Sequence, residues 1–298
     1  MGKTAILFPG QGAQKVGMGR EFFDQYDFVR ELYSVANDIV GYDLTSICFD
    51  GPSEELDTTT QSQPAIFLTS IAALEVLRRT EPETVEQCFA TAGLSLGEYT
   101  ALTFANVLSF EDGLKLVQLR GKAMQAASEL TPSGMVSILG LDAEMVQSLC
   151  DQVQERGILK IANYLCPGNI AVSGTIAACE QIVDLALQAG AMKVVPLAVA
   201  GAFHTEIMEP AVQIMKEALD KIEFNLPRIP VYSNVDANPH QNSTEIKEIL
   251  LKQICSPVRW EESMRNLLAQ EVDTFYEIGP GRVLRGLMKR INRKVQLN

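Results

Sequence analysis

The chain has 298 residues, 47% of them hydrophobic, enough to bury a sizeable core in one large domain or two unequal ones. Its formal net charge of -12 argues against a nucleic-acid binder, which needs a basic face to neutralise phosphate. The longest unbroken apolar run, VVPLAVAGAF, is about half of what a membrane span requires, and the N-terminus enters a strand-like segment almost at once, so neither a spanning helix nor a signal or transit peptide is expected.

In chain order, TAILFPG reads as a strand, EFFDQYDFVRELYSVANDIV and AIFLTSIAALEVLRR as helices, and EQCFATAGL as a strand ending in a turn. Two helices follow, GEYTALTFANVL and FEDGLKLVQLRGKAMQAASEL. At TPSG the rhythm changes. MVSILGL, AEMVQSLCDQVQER, LKIANYLC, NIAVSGT, ACEQIVDLALQAG and MKVVPLAVA spell βαββαβ, the ferredoxin-like unit. A small inserted ferredoxin-like domain is therefore expected over residues 131–199. From Gly201 the alternation resumes with helix EIMEPAVQIMKEALDKI, strand IPVYSNV, helices TEIKEILLKQI and EESMRNLLAQ, strand TFYEIG and a basic last helix. Residues 1–130 and 200–298 would together form a large α/β-hydrolase-like domain around a mainly parallel sheet.

The six cysteines, Cys48, Cys88, Cys150, Cys166, Cys179 and Cys255, are scattered, with no CxxC pair to hold zinc or exchange disulfides. Reduced core thiols suit a cytosolic compartment. The stretch from Arg282 onward runs against the overall charge, carrying Arg282, Arg285, Lys289, Arg290, Arg293 and Lys294 with no acid. It is either a local basic face for an anionic ligand or acidic partner, or a solvated last helix.

Gly93, Leu94, Ser95, Leu96 and Gly97 make GxSxG, in which small residues let a strand reverse into a helix and expose a strained serine. Alone, the pattern also fits a tight turn with a small polar residue. A serine hydroxyl needs a base, and the chain offers two histidines. His204, just past a strong strand and before a helix, stands at the edge where α/β active sites gather, whereas His240, in DANPHQN, reads as surface loop. A hydrogen-bonded interdomain histidine is the alternative for His204. Many acidic residues could orient the imidazole, and the sequence does not choose among them. FPGQGAQ, Phe8 to Gln14, fails both the dinucleotide and the Walker patterns, but as a glycine-rich loop it can bring a backbone amide beside the serine. With GxSxG it suggests acyl chemistry, the oxyanion being held by the amides of Leu96 and Gln11.

Taken together in order, LFPGQGAQ, GLSLGEYTAL, LRGKAMQ, ANYLCPGNIAVSG, AGAFHT, QICSPVRW and EIGPGRV resemble the malonyl-CoA:acyl carrier protein transacylases of fatty-acid synthesis, over nearly the whole length. The resemblance implies that Ser95 takes the malonyl group as an ester and that His204 activates first the serine and then the carrier thiol. It implies that the backbone carbonyl of Gln253 steadies the histidine in place of a triad acid, and that Arg120 clamps the malonyl carboxylate, as a planar guanidinium can. By sequence alone Arg120 is a polar residue on an amphipathic helix. The resemblance also places Phe203 where a branched acyl chain would lie and Lys193 near coenzyme A phosphate; the basic C-terminal helix is instead a candidate to dock the acidic carrier protein.

Departures from the family pattern are Leu94 for the usual histidine, Leu165 for an asparagine and Cys166 for a serine, changes that resemble its plastid-type branch. No metal or redox cofactor is expected, because a thioester is already activated. The expected partners are malonyl-CoA and acyl carrier protein, the working unit a monomer, and the location the cytoplasm, or the plastid stroma if a transit peptide has been removed. The rivals left open are a serine thioesterase, a docking module without activity, and a malonyltransferase loading a polyketide carrier protein in trans.

Overall fold

The structure, a computed structural model, describes residues 2–298. In chain order its strands are β1 (Lys3–Phe8), β2 (Cys88–Gly93), β3 (Ser133–Leu139), β4 (Leu159–Cys166), β5 (Asn169–Thr175), β6 (Lys193–Leu197), β7 (Val231–Tyr232), β8 (Val272–Glu277) and β9 (Gln296–Leu297). They form a five-stranded sheet in the order β7-β2-β1-β8-β9 and a four-stranded sheet in the order β4-β5-β3-β6.

Every pairing in the larger sheet is parallel, as the alternation of strands and helices requires. A parallel sheet needs both faces covered, and β1 shows how one short sequence serves both. Ile6 and Phe8 pack into a core with helices Asp27–Val40, Thr59–Thr80 and Phe110–Leu130, while Ala5 and Leu7 face helices Trp260–Ala269 and Val283–Ile291. All four side chains are buried because alternate residues of a strand point to opposite faces.

The smaller sheet is antiparallel throughout, with β3 between β5 and β6. This is the strand order of a ferredoxin-like βαββαβ unit, and helices Ala143–Val153 and Ile176–Gln188 cover one face. Val136, Ile138, Ile161 and Val172 point to those helices, whereas the alternate residues Met135, Ala162 and Ala171 join the main core. The two sheets are stitched where β4 runs beside Val258, with Tyr164 N donating to Val258 O at 2.9 Å and Val258 N to Ala162 O at 2.8 Å.

Local departures from the sequence reading have physical causes. The first predicted helix is two, Arg20–Gln25 and Asp27–Val40, because Tyr26 is extended (φ -128°, ψ 122°) and re-aims the second so that Val29, Tyr33, Ala36 and Val40 are buried. After two short helices the sequence did not announce, Leu44–Asp50 and Ser53–Leu56, the second predicted helix begins at Thr59 rather than after Pro64, since the Thr58 side chain accepts from Gln61 N and caps an earlier start. That extra stretch carries Gln63. The strand read in IPVYSNV is paired only at Val231 and Tyr232, and the two-residue β9 is too short to show any periodicity. All six cysteines are free thiols, five of them buried.

Candidate active site

The parallel strands β1 and β2 end together, and the chain leaving β2 turns at once into helix Gly97–Phe104. The turn is possible only because both glycines of the motif lack a side chain. A Cβ on Gly97 would sit 2.2 Å from the carbonyl oxygen of Phe8, and one on Gly93 would sit 1.9 Å from the backbone of Gly97. Between them Ser95 has φ 50°, in the left-handed region that a non-glycine residue enters at a cost. Asn234, just past β7, holds that conformation. Its Oδ1 accepts from Ser95 N at 2.6 Å and its Nδ2 donates to Gly93 O at 2.7 Å.

His204 reaches the same place from the far side of the small sheet. After β6 the chain returns with Ala202 N donating to Ser133 Oγ, then Thr205 Oγ1 donating back to Ala202 O. His204 itself has φ 64°. Its Nε2 lies 2.9 Å from Ser95 Oγ and its Nδ1 lies 2.8 Å from the carbonyl oxygen of Gln253. Gln253 is in the last turn of helix Ser243–Cys255, where carbonyls have no partner within the helix and are free to accept from outside. With Nδ1–H donating to that carbonyl, the lone pair sits on Nε2, facing the serine hydroxyl.

Arg120, on helix Phe110–Leu130, is 1% exposed. Its Nη1 donates to Gln63 Oε1 at 2.8 Å, and its Nη2 to Gln253 Oε1 at 2.9 Å and to Ser95 Oγ at 3.0 Å. Its Nε is buried without a partner among the described residues. Glu98 completes the buried cluster, its Oε2 accepting from Gln253 Nε2 at 2.7 Å and Asn234 N at 3.0 Å, while Gln253 Nε2 also donates to Ser95 O at 3.0 Å.

Electrostatics follow from this burial. Loss of water, reinforced by the Arg120 charge, pushes His204 down to about 4, so the imidazole is neutral at pH 7, the form a base requires. Burial pushes Glu98 up to about 7 against the hydrogen bonds from Gln253 and Asn234. Burial also works against the Arg120 charge, which Tyr99 and Glu98 support.

Ser95, Arg120 and His204 open onto a cavity of about 540 Å³ between the two sheets, walled by apolar side chains such as Met124, Met135, Leu197 and Leu287 and by polar ones such as Gln63, Asn163 and Asn169. Gln11 and Leu96 also line it, and among the described residues neither backbone amide donates to any protein acceptor. Phe203 lies in the wall. Leu94 and Leu165, two of the departures from the family pattern, line it as well and make it more apolar; Cys166 is buried. Lys193 is not among the lining residues: it is exposed at the start of β6, paired with Leu139. His240 is bonded to Asp236 at 2.9 Å, outside the cavity. Of the C-terminal helix, Val283 and Leu287 reach the cavity while Arg282, Lys289 and Arg290 stay exposed.

Three residues of the cluster escaped the sequence reading: Gln63, Glu98 and Asn234. Glu98 carried the one available signal, as an acid inside an otherwise apolar helix next to the nucleophile. Gln63 and Asn234 are ordinary polar residues until their partners are placed.

A family model for the acyl transferase domain matches residues 6–296. The malonyl CoA-acyl carrier protein transacylase of Bacillus subtilis is 43% identical over 297 residues, covering 99% of this chain and 92% of that one. Among solved structures, the acyl-carrier-protein-S-malonyltransferase of Bartonella henselae superposes with a TM-score of 0.96 at 36% identity, covering 99% of this chain and 94% of that one. A malonyl-transacylase solved in complex with its type II polyketide acyl-carrier protein superposes with a TM-score of 0.94 at 38% identity, again over 99% and 94%.

Proposed function

This chain belongs to the acyl transferase domain family, and on that premise we propose that it moves a malonyl group from malonyl-CoA to the phosphopantetheine thiol of an acyl carrier protein. The observation that carries the reading is the guanidinium of Arg120 at 3.0 Å from the Ser95 hydroxyl, the one arginine or lysine among the described residues that line the cavity. A buried cation beside a nucleophile selects an acyl group that ends in a carboxylate close to its reacting carbonyl, and malonyl is such a group.

The roles follow from the geometry. As Ser95 Oγ attacks the thioester carbon, its proton passes to His204 Nε2, and the imidazolium is steadied by the Gln253 carbonyl at Nδ1. The carbonyl oxygen becomes an oxyanion, for which the free amides of Gln11 and Leu96 are the available donors. Collapse breaks the C–S bond, and His204 returns the proton to the departing coenzyme A sulfur. The carrier thiol then gives its proton to His204 and attacks the serine ester. Collapse of that second intermediate breaks the C–Oγ bond, and the proton goes back to Ser95. Each half-reaction exchanges one acyl bond for another, so the chemistry calls for no metal or redox cofactor. Arg120 holds the malonyl carboxylate throughout, with Phe203 limiting the room for a branch.

Transfer requires the carrier thiol to outcompete water at the serine ester, which is what separates a transferase from a thioesterase. Lys193, exposed at the start of β6, and the basic C-terminal helix provide cations for the phosphates of coenzyme A and for an acidic carrier protein. The reading takes one chain as the working unit, since every site residue comes from it. Among the described residues no helix is long and apolar enough to cross a membrane. Reduced thiols fit the cytoplasm, or the plastid stroma for a processed chain.

Intact mass spectrometry after brief mixing with malonyl-CoA tests the reading. A one-malonyl adduct that requires Ser95 and transfers to added carrier protein is expected. An adduct that decays to free malonate regardless of carrier protein would make the chain a thioesterase, and no adduct would leave a docking module.

A further inference from the structure

Glu98 lies three residues beyond the nucleophile, on helix Gly97–Phe104, and is 3% exposed. It does not line the cavity, and the acyl-transfer steps above make no use of it. A carboxylate so deeply buried is costly unless its oxygens are satisfied. Its Oε2 takes hydrogen bonds from Gln253 Nε2 and from Asn234 N, and both donors belong to residues that hold the catalytic pair.

One arm runs to the base. The side-chain amide of Gln253 is fully engaged: Nε2 donates to Glu98 and to Ser95 O, and Oε1 accepts from Arg120. A flipped amide would face two acceptors with its oxygen, so the hydrogen-bond chemistry admits a single orientation. This pins the last turn of helix Ser243–Cys255, a part of a helix that frays when nothing holds it, and with it the carbonyl that orients His204. The other arm runs to the nucleophile. Fixing Asn234 N fixes the side chain that accepts from Ser95 N and donates to Gly93 O, which keeps Ser95 in its unfavourable backbone conformation.

We propose that Glu98 is a positioning residue that sets Ser95 and His204 relative to each other through Asn234 and Gln253, taking at one remove the place of a carboxylate bonded directly to the imidazole. The inference rests on the reading of Ser95 and His204 as the catalytic pair. It adds that the carbonyl of Gln253 is a competent substitute for a triad acid only because a buried acid stands behind it.

The test uses the full-length protein with Glu98→Met, which keeps the length of the side chain but removes the oxygen that accepts from both Asn234 N and Gln253 Nε2. Single-turnover malonylation of Ser95, followed by quenching and intact mass, should show kcat for acylation reduced by about 100-fold, the cost of a small misplacement of reacting groups, with KM for malonyl-CoA unchanged. The ¹⁵N resonance of His204 Nδ1 should move, as its hydrogen bond to Gln253 weakens, while the melting curve still reports a folded protein. A rate within about twofold of wild type overturns the proposal, as does a loss that appears in KM alone with the imidazole signal in place. Should Glu98→Met not fold, Glu98→Asp serves: it keeps the carboxyl group but withdraws the oxygens by one methylene, so it should lose kcat at constant KM, and a wild-type kcat would overturn the idea. Wild-type protein that takes up no malonyl would sink the proposed function itself; an active wild type matched by an equally fast Glu98→Met would sink only this inference.

Discussion

The two sheets solve different problems with the same polypeptide. The parallel sheet is assembled from strands far apart in sequence, β1 pairing with both β2 and β8, and the chemistry gathers where those strands end. Parallel neighbours need crossovers, and each crossover delivers a loop to the same edge. The antiparallel sheet is built from one continuous stretch, its helices packed on one face, and it sends its alternate residues, Met135, Asn163 and Ala171 among them, to the cavity wall. The parallel part thus holds the reacting groups, and the antiparallel part shapes the space around them. His204 is the exception, carried to the site by the segment that leaves the small sheet and anchored to it through Ser133.

Substitutions on the two sides should therefore separate rate from stability. Ser95→Ala should abolish the malonyl adduct in intact mass spectra, since no other hydroxyl stands within hydrogen-bond reach of His204 Nε2 among the described residues. Arg120→Ala should lower kcat/KM for malonyl-CoA by about 2 to 5 kcal/mol of transition-state binding, on the order of 30- to several-thousand-fold, measured by steady-state transfer to carrier protein. A malonyl-CoA rate that survives this change would mean the buried cation does not read the carboxylate.

His204 sharpens the comparison at the point where the two parts meet. Because burial and the Arg120 charge both disfavour the imidazolium, its midpoint belongs near pH 4 and not at the ordinary 6.5. In an NMR titration the His204 ring should thus keep its neutral shifts from pH 8 down to pH 5. With a single other histidine in the chain, His240, assignment by substitution is direct. Saturating malonate should raise the midpoint, as its carboxylate offsets the Arg120 charge. A midpoint near 6.5 without ligand would show that neither influence reaches the ring.

The smallest effect is expected on the antiparallel side. Ile138→Val, in the fully buried core between the small sheet and its own helices, should cost about 0.5 to 1.5 kcal/mol of stability, seen as a few degrees in melting temperature, with kcat and KM unaltered. A change in kcat here would mean that the wall and the chemistry are mechanically coupled.

Legibility followed the range of the physics behind each feature. GxSxG marks a steric requirement confined to five consecutive residues, and the close approaches at Gly93 and Gly97 bear it out. The βαββαβ pattern was plain because each of its elements has its own periodicity. The start of the helix at Thr59 was hidden by Pro64, whose usual meaning as a breaker was outweighed by the Thr58 cap and by complete burial of residues 62–72. Among the site residues, Gln253 was reached through resemblance, since nothing about a glutamine near a helix end announces that its backbone carbonyl will serve a histidine.

By itself, then, the sequence determined the acyl chemistry, the strand that presents the serine, and the split between a parallel and an antiparallel sheet, because these depend on motifs and periods read over a few turns of chain. Tertiary structure alone decided that Gln63, Glu98 and Asn234 belong to the site and that Arg120 points inward. Their meaning lies in hydrogen bonds across the sheet edge, such as Glu98 to Gln253, made only after distant crossovers have been packed together and water has been removed from between them.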